Sequence, residues 1–139
     1  MTYEKIVKKI EDTCKKHIFV QEFGYGDVYE YLNSTSHKYP ILYLTTDNIQ
    51  VDIDDRIYTL NGTLYFVDRV QEDNKNTLYV QSQGLSVLTD IFSKLNNELN
   101  ISNITCTPFT QKFTDLCGGA YASFTIEVDG GDLCKNTFK

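Results

Sequence analysis

Hydrophobic residues recur at helical spacing near the N-terminus and again past the middle of the chain, with strand-like alternation between and after. In residues 3–17, Tyr3, Ile6, Val7, Ile10, Cys14 and His17 fall three and four apart while Lys and Glu fill the other face, which predicts an amphipathic helix. Thr2 stands at the N-cap, although Lys5 occupies the position where Glu or Gln would complete a capping box. Glu4 and Glu11 lie four residues before Lys8 and Lys15 and add small charge-pair support.

The next stretch, FVQEFGYGDVYEYLNSTSHKYP, has neither period. Gly24 and Gly26 bracket Tyr25 and predict a flexible or tightly turned passage, followed by a short helical turn from Asp27 to Leu32 with Asp27 as its cap. NSTS and Pro40 read as turns, and so long a loop points to a binding role. Strand character begins at PILYLTT and resumes in VDIDDRIYTL, interrupted by Asp52, Asp54 and Asp55. Asn61-Gly62, between RIYTL and TLYFVDRV, predicts a type I′ hairpin that sets Tyr58 and Leu60 against Thr63 and Tyr65.

Residues 75–99 predict the major helix, with Leu78, Gln81, Gly84, Leu85, Leu88, Ile91, Phe92, Leu95 and Leu99 as its apolar stripe. Gly84 within that stripe predicts a close approach of helix to sheet, and Asn96, Asn97 and Asn100 mark the exit. Two further strands follow, ITCTPFTQKF and AYASFTIEV, with Gly118-Gly119 supplying the turn and Pro108 placing the first at an edge or bulge. The fold class expected is α+β: a mainly antiparallel sheet with an N-terminal helix and a long helix inserted between strands. One domain, 1–139, accounts for the length, with 130–139 as a possible C-terminal arm.

Composition narrows the partners. Lys and Arg number 13 against 19 Asp and Glu, a net charge of −6, and only two of the basic residues are Arg. Phosphate backbones are gripped by Lys and Arg, so specific nucleic-acid recognition is not expected. The charge is unevenly placed. Residues 47–73 hold seven carboxylates and two Arg, a net of −5, whereas residues 1–17 hold five Lys against three acids. No apolar run reaches the roughly 18 residues of a membrane span, and the charged N-terminus shows no secretion signal.

The chemistry-bearing residues form no recognisable set, so the expectation is no enzyme, no catalytic residues and no cofactor. Cys14, Cys106, Cys117 and Cys134 contain no C-x-x-C and are expected to be reduced, mostly buried thiols. With only His17 and His37 to help, no metal site is expected; DIDD also lacks the offsets of a calcium loop. Cys117 before Gly118-Gly119 has no evident base, His17 suits a structural role at a helix end, and His37 is expected to be exposed. The four glycosylation sequons, beginning at Asn33, Asn61, Asn100 and Asn103, reflect composition. The acidic segment reads either as a solvated face that discourages edge pairing or as a surface facing a partner. Ten Tyr and eight Phe, many outside the predicted helices, favour interfaces and lean toward an assembly component.

In order along residues 3–129, YEKIVKKIEDTCKKHIFV, FGYGDV, TLYFVDRVQEDNKNTLYVQSQGLSVLTDIF and TPFTQKFTDLCGGAYASFTIEV resemble small proteins of tailed bacteriophages. The family is the tail-completion or tail-terminator type, including neck and tail ring components of phages related to the crAss-like group. The resemblance rests on layout and composition. It implies a tail-terminator-like fold and a virion subunit, assembled in the bacterial host cytoplasm. Such subunits form a ring of six or twelve copies that joins portal, neck or tail-tube proteins and lets DNA pass through its channel. It also implies interface residues: Gly24, Tyr25, Gly26 and Asp27 in the loop, Asn61 and Gly62 at the expected hairpin, and Asp52, Asp54 and Asp55 facing either the lumen or a basic neighbouring ring. A competing expectation is a small adaptor that binds another protein through an exposed strand edge.

Overall fold

The computed structural model describes residues 2–33, 37–71, 75–112 and 115–129. The expected C-terminal arm, Cys134, part of the NSTS turn, and Glu72 and Asp73 of the acidic segment lie outside them. The architecture is α+β, a five-stranded mixed sheet in the order β1-β2-β3-β5-β4, antiparallel except for β1 with β2. Its strands are β1 (Glu22–Tyr25), β2 (Ile41–Asp52), β3 (Ile57–Arg69), β4 (Asn100–Lys112) and β5 (Leu116–Asp129). The helices are α1 (Tyr3–Lys15), α2 (Val28–Asn33) and α3 (Thr77–Leu95).

Helix α1 forms where its periodicity places it. The Thr2 hydroxyl accepts from the Lys5 amide at 3.3 Å, Glu11 pairs with Lys15 at 3.6 Å, and Ile6, Ile10 and Cys14 are buried. These three residues join α3 over Leu42, Leu44, Leu64, Phe66 and the inward side chains of β5 to make the main core. On the opposite sheet face, Val28 and Leu32 of α2 cover Ile41, Tyr43, Val67 and Cys117 in a smaller cluster. Asp27 caps α2, accepting from the Glu30 amide at 3.2 Å.

Helix α3 is shorter than expected, Thr77–Leu95, and its buried face is rotated. Val80 and Val87 are buried with Gly84, Leu88, Ile91, Phe92 and Leu95, while Leu78 and Leu85 are exposed. Gly84 has the predicted role: a Cβ there would lie 2.9 Å from Phe66 Cδ1 and 3.0 Å from the Ala120 amide nitrogen.

Two expected turns are strand interiors. Asn61-Gly62 sits midway along β3, paired on one side with Asn48 and Thr46 and on the other with Thr125 and Phe124. Strand alternation overrides the local turn preference, because Leu60, Leu64 and Phe66 all need to face the helices. Gly62 falls on that face and leaves room for the Phe124 ring, whose Cζ would be 2.8 Å from an added Cβ. The β2–β3 hairpin instead turns at residues 53–56, where Asp52 Oδ1 accepts from the Asp55 amide at 3.2 Å and Arg56 takes φ 55°. Likewise Gly118 and Gly119 belong to β5, and the β4–β5 connection falls between Lys112 and Leu116. Gly119 is at φ 148°, and any side chain there would run into the Phe66 carbonyl. Pro108 does lie on an edge strand, β4, which also carries an irregularity between Ser102 and Thr105 and Asn103 at φ 56°.

Candidate functional site

The sequence-predicted interface residues occupy three separate places. Gly24 and Tyr25 are in β1, a strand within the stretch expected to be irregular; Gly26 and Asp27 lead from it to α2. The backbone there is tightly held. The Gly26 amide donates to the Leu44 carbonyl at 3.1 Å, and the Tyr43 hydroxyl donates to the Asp27 carbonyl at 3.1 Å. A side chain at Gly24 would strike the Tyr43 ring. Tyr25, Gly26 and Asp27 are exposed, and the Tyr25 hydroxyl meets those of Tyr3 and Thr46.

Asp52, Asp54 and Asp55 are brought together at the β2–β3 turn, all exposed. Asn61 and Gly62 are not with them. Asn61 lies in a cross-strand ladder, donating to Asn48 Oδ1 at 2.8 Å and accepting from the Thr125 hydroxyl at 2.9 Å, and Gly62 is buried. Those two residues lie within the sheet, between β2 and β5.

The outer edge of β2 is the most open part of the sheet. Strand β1 pairs only with Ile41–Leu44, and Tyr3 and Tyr25 reach as far as Thr46. From Asp47 to Asp52, among the described residues, no strand lies on the side away from β3, and every residue is exposed. Ile49 and Val51 are exposed on this segment, and Ile53 at the turn is 83% exposed. A free edge beside exposed apolar residues is a ready template for another chain.

A second apolar surface lies at the other end of the sheet, where sequence periodicity had assigned nothing or a core role. Ile18, Phe19 and Tyr79 line a groove of about 610 Å³ with Lys38, Pro40 and Asp68, and Leu78 is exposed beside Tyr79. Burial pushes the Asp68 carboxyl above its ordinary range, against the lowering effect of Arg69.

The polar clusters are structural. Contrary to expectation, His37 is not exposed: its side chain is 4% accessible, with Nδ1 2.9 Å from Glu22 Oε2 and Nε2 2.8 Å from the Tyr31 carbonyl. The Tyr31 hydroxyl also donates to Glu22. Partial burial pushes the Glu22 carboxyl up, but the hydrogen bonds from Tyr31 and His37 outweigh it and hold the group below its ordinary value. His17 has the structural role expected of it, accepting from the Phe19 amide at 3.2 Å and lying 3.0 Å from Asp90 Oδ2.

Cys14 and Cys117 are buried and unbridged, Cys106 is half-buried, and burial pushes each thiol up, away from the reactive thiolate. Cys117 stands in strand β5, 3.6 Å from the Tyr39 hydroxyl, and not on a turn. Among the described residues no cluster of three or more metal-ligating side chains forms, and no helix is long and apolar enough to cross a membrane. No protein-family model matches the chain, and no curated protein matches it in sequence.

Proposed function

We propose that the chain is a structural subunit of a phage neck or tail, of the tail-completion or tail-terminator kind. Copies oligomerise into a ring that connects or terminates portal and tail components, and DNA passes through its channel. The observation that carries this reading is the outer edge of β2 from Asp47 to Asp52, which no described strand covers and where Ile49 and Val51 are exposed, with Ile53 beyond them. Apolar side chains left bare on an open strand edge gain nothing in a monomer and become useful when a neighbour covers them. The net charge of −6 fits a wall that DNA passes without being gripped.

The same edge favours a second reading, an adaptor that takes one extended segment from another protein by strand addition. Native mass spectrometry and negative-stain microscopy, alone and with portal and tail-tube proteins, separate the two. A closed multimer of six or twelve supports the ring. A chain that stays monomeric in every mixture overturns it, and a monomer that takes up one extended peptide along β2 supports the adaptor.

A further inference from the structure

We infer that the two histidines are held in opposite protonation states: His37 with a proton on each ring nitrogen, His17 with a proton on Nε2 alone. The charged His37 is a pH-sensitive latch that fastens helix α2 over the second face of the sheet.

His37 faces acceptors on both sides. Nδ1 is 2.9 Å from Glu22 Oε2 and Nε2 is 2.8 Å from the Tyr31 carbonyl, with the side chain 4% accessible. A carbonyl oxygen can only accept. Glu22 already takes the Tyr31 hydroxyl and the Lys38 amide as donors, and a carboxyl so surrounded is ionised and accepts as well. A neutral imidazole has one N–H, so it would turn a bare lone pair toward one of these oxygens where water has little access. Only the imidazolium donates to both. The ring also lies against that of Tyr31, with centroids 4.6 Å apart, where an aromatic face favours a cation. His17 differs: its Nδ1 accepts from the Phe19 amide at 3.2 Å, and its Nε2 lies 3.0 Å from Asp90 Oδ2. A second proton there would set two N–H groups against each other, so the neutral ring fits.

The charged ring joins three elements. Glu22 belongs to β1, Tyr31 to α2, and His37 leads into β2. Helix α2 has six residues, too few to persist alone, and it covers Ile41, Tyr43, Val67 and Cys117. Among the described residues, the titratable groups around the ring are Glu22, Tyr31 and Tyr39, the last edge-on at 6.2 Å. Tyr43 of β2 stacks behind Tyr31, with Asp27 and Glu30 near it. Arg69 lies over Tyr39, whose hydroxyl meets Asp115 and Cys117, and Lys38 is exposed. Glu22 thus supplies the opposite charge in direct contact. Rising pH removes the second His37 proton and turns a lone pair toward an oxygen; falling pH removes the Glu22 charge. Helix α2 is latched between these limits and released on either side.

Long-range proton–nitrogen NMR of the full chain at neutral pH reads each ring nitrogen directly. The parent is expected to show two protonated nitrogens at His37 and a bare Nδ1 at His17; a bare nitrogen at His37 overturns the inference. In Glu22→Gln, whose amide can donate, His37 Nδ1 is expected to lose its proton while His17 is unchanged. A His37 that keeps both protons in that variant overturns the coupling to Glu22. Thermal melting tests the latch itself. From neutral to mildly alkaline pH the parent Tm is expected to fall toward that of His37→Gln, whose side chain does not titrate, and parallel curves overturn the latch.

Discussion

Strand β2 is two environments in one element. Its first four residues, Ile41–Leu44, are all buried: Leu42 and Leu44 lie beneath α1 and α3, while Ile41 and Tyr43 lie beneath α2. Its last six, Asp47–Asp52, are all exposed. The sequence pattern does not change to match. The irregularity between Thr46 and Asn48 shifts the pairing by one, so Ile49 opposite Leu60 keeps the helix-bearing side that Leu44 occupies opposite Leu64. Apolar residues thus continue on the correct side past the point where the helices stop. What differs along the strand is the cover.

The sharpest way to break this contrast is to delete bulk from each half. Leu42→Ala is expected to destabilise the fold by about 3 kcal/mol and lower the Tm by roughly 10 °C, read by thermal melting, because the residue is fully enclosed. Next in size is His37→Ala, expected to cost about 2 kcal/mol in chemical denaturation, since it strips partners from Glu22 and the Tyr31 carbonyl in the covered half.

The same clamp has a pH signature. The folded Glu22 carboxyl lies below its ordinary value of 4.5, so its stabilisation is present above that value and lost as pH falls through the lower folded one. The parent Tm should therefore fall more steeply with acidification than that of Glu22→Gln; parallel curves would remove Glu22 from the account. The smallest effect on folding is expected from Ile49→Thr and Val51→Thr, within about 0.5 kcal/mol of the parent in denaturation. A larger loss would mean that the distal edge is covered within the monomer.

How legible this was depended on whether a signal was local. Helix α1, its Thr2 cap, the Gly84 approach and Pro108 at an edge could be read because each rests on a few neighbouring residues or one face. The hairpin was misread for the same reason. Asn61-Gly62 is a strong local turn signal, but here Gly62 answers to Phe124 more than sixty residues away, and only the folded register reveals it. The DIDD run held the true turn, its Asp52 side chain bonding the backbone three residues on. Strand β1 was missed because a four-residue parallel strand carries almost no period of its own. Of the candidate interface residues, Asp52, Asp54 and Asp55 are displayed together, whereas Asn61 and Gly62 are enclosed by neighbouring strands. The groove around Phe19 and Tyr79 had no signal, because its walls come from four stretches distant in sequence.

The parallel pairing of β1 has a topological outcome. To run beside β2 in the same direction, the chain lays α1 against one sheet face, passes along the edge as β1, and crosses to the other face as α2 before entering β2. Helix α1, strand β1 and helix α2 therefore form a clasp that straddles the sheet margin and holds it from three sides. The antiparallel strands β2, β3, β5 and β4 are paired without it. Hydrogen exchange is expected to show such a clasp opening as one unit, releasing both faces of the β2 margin together while the strands behind it stay protected.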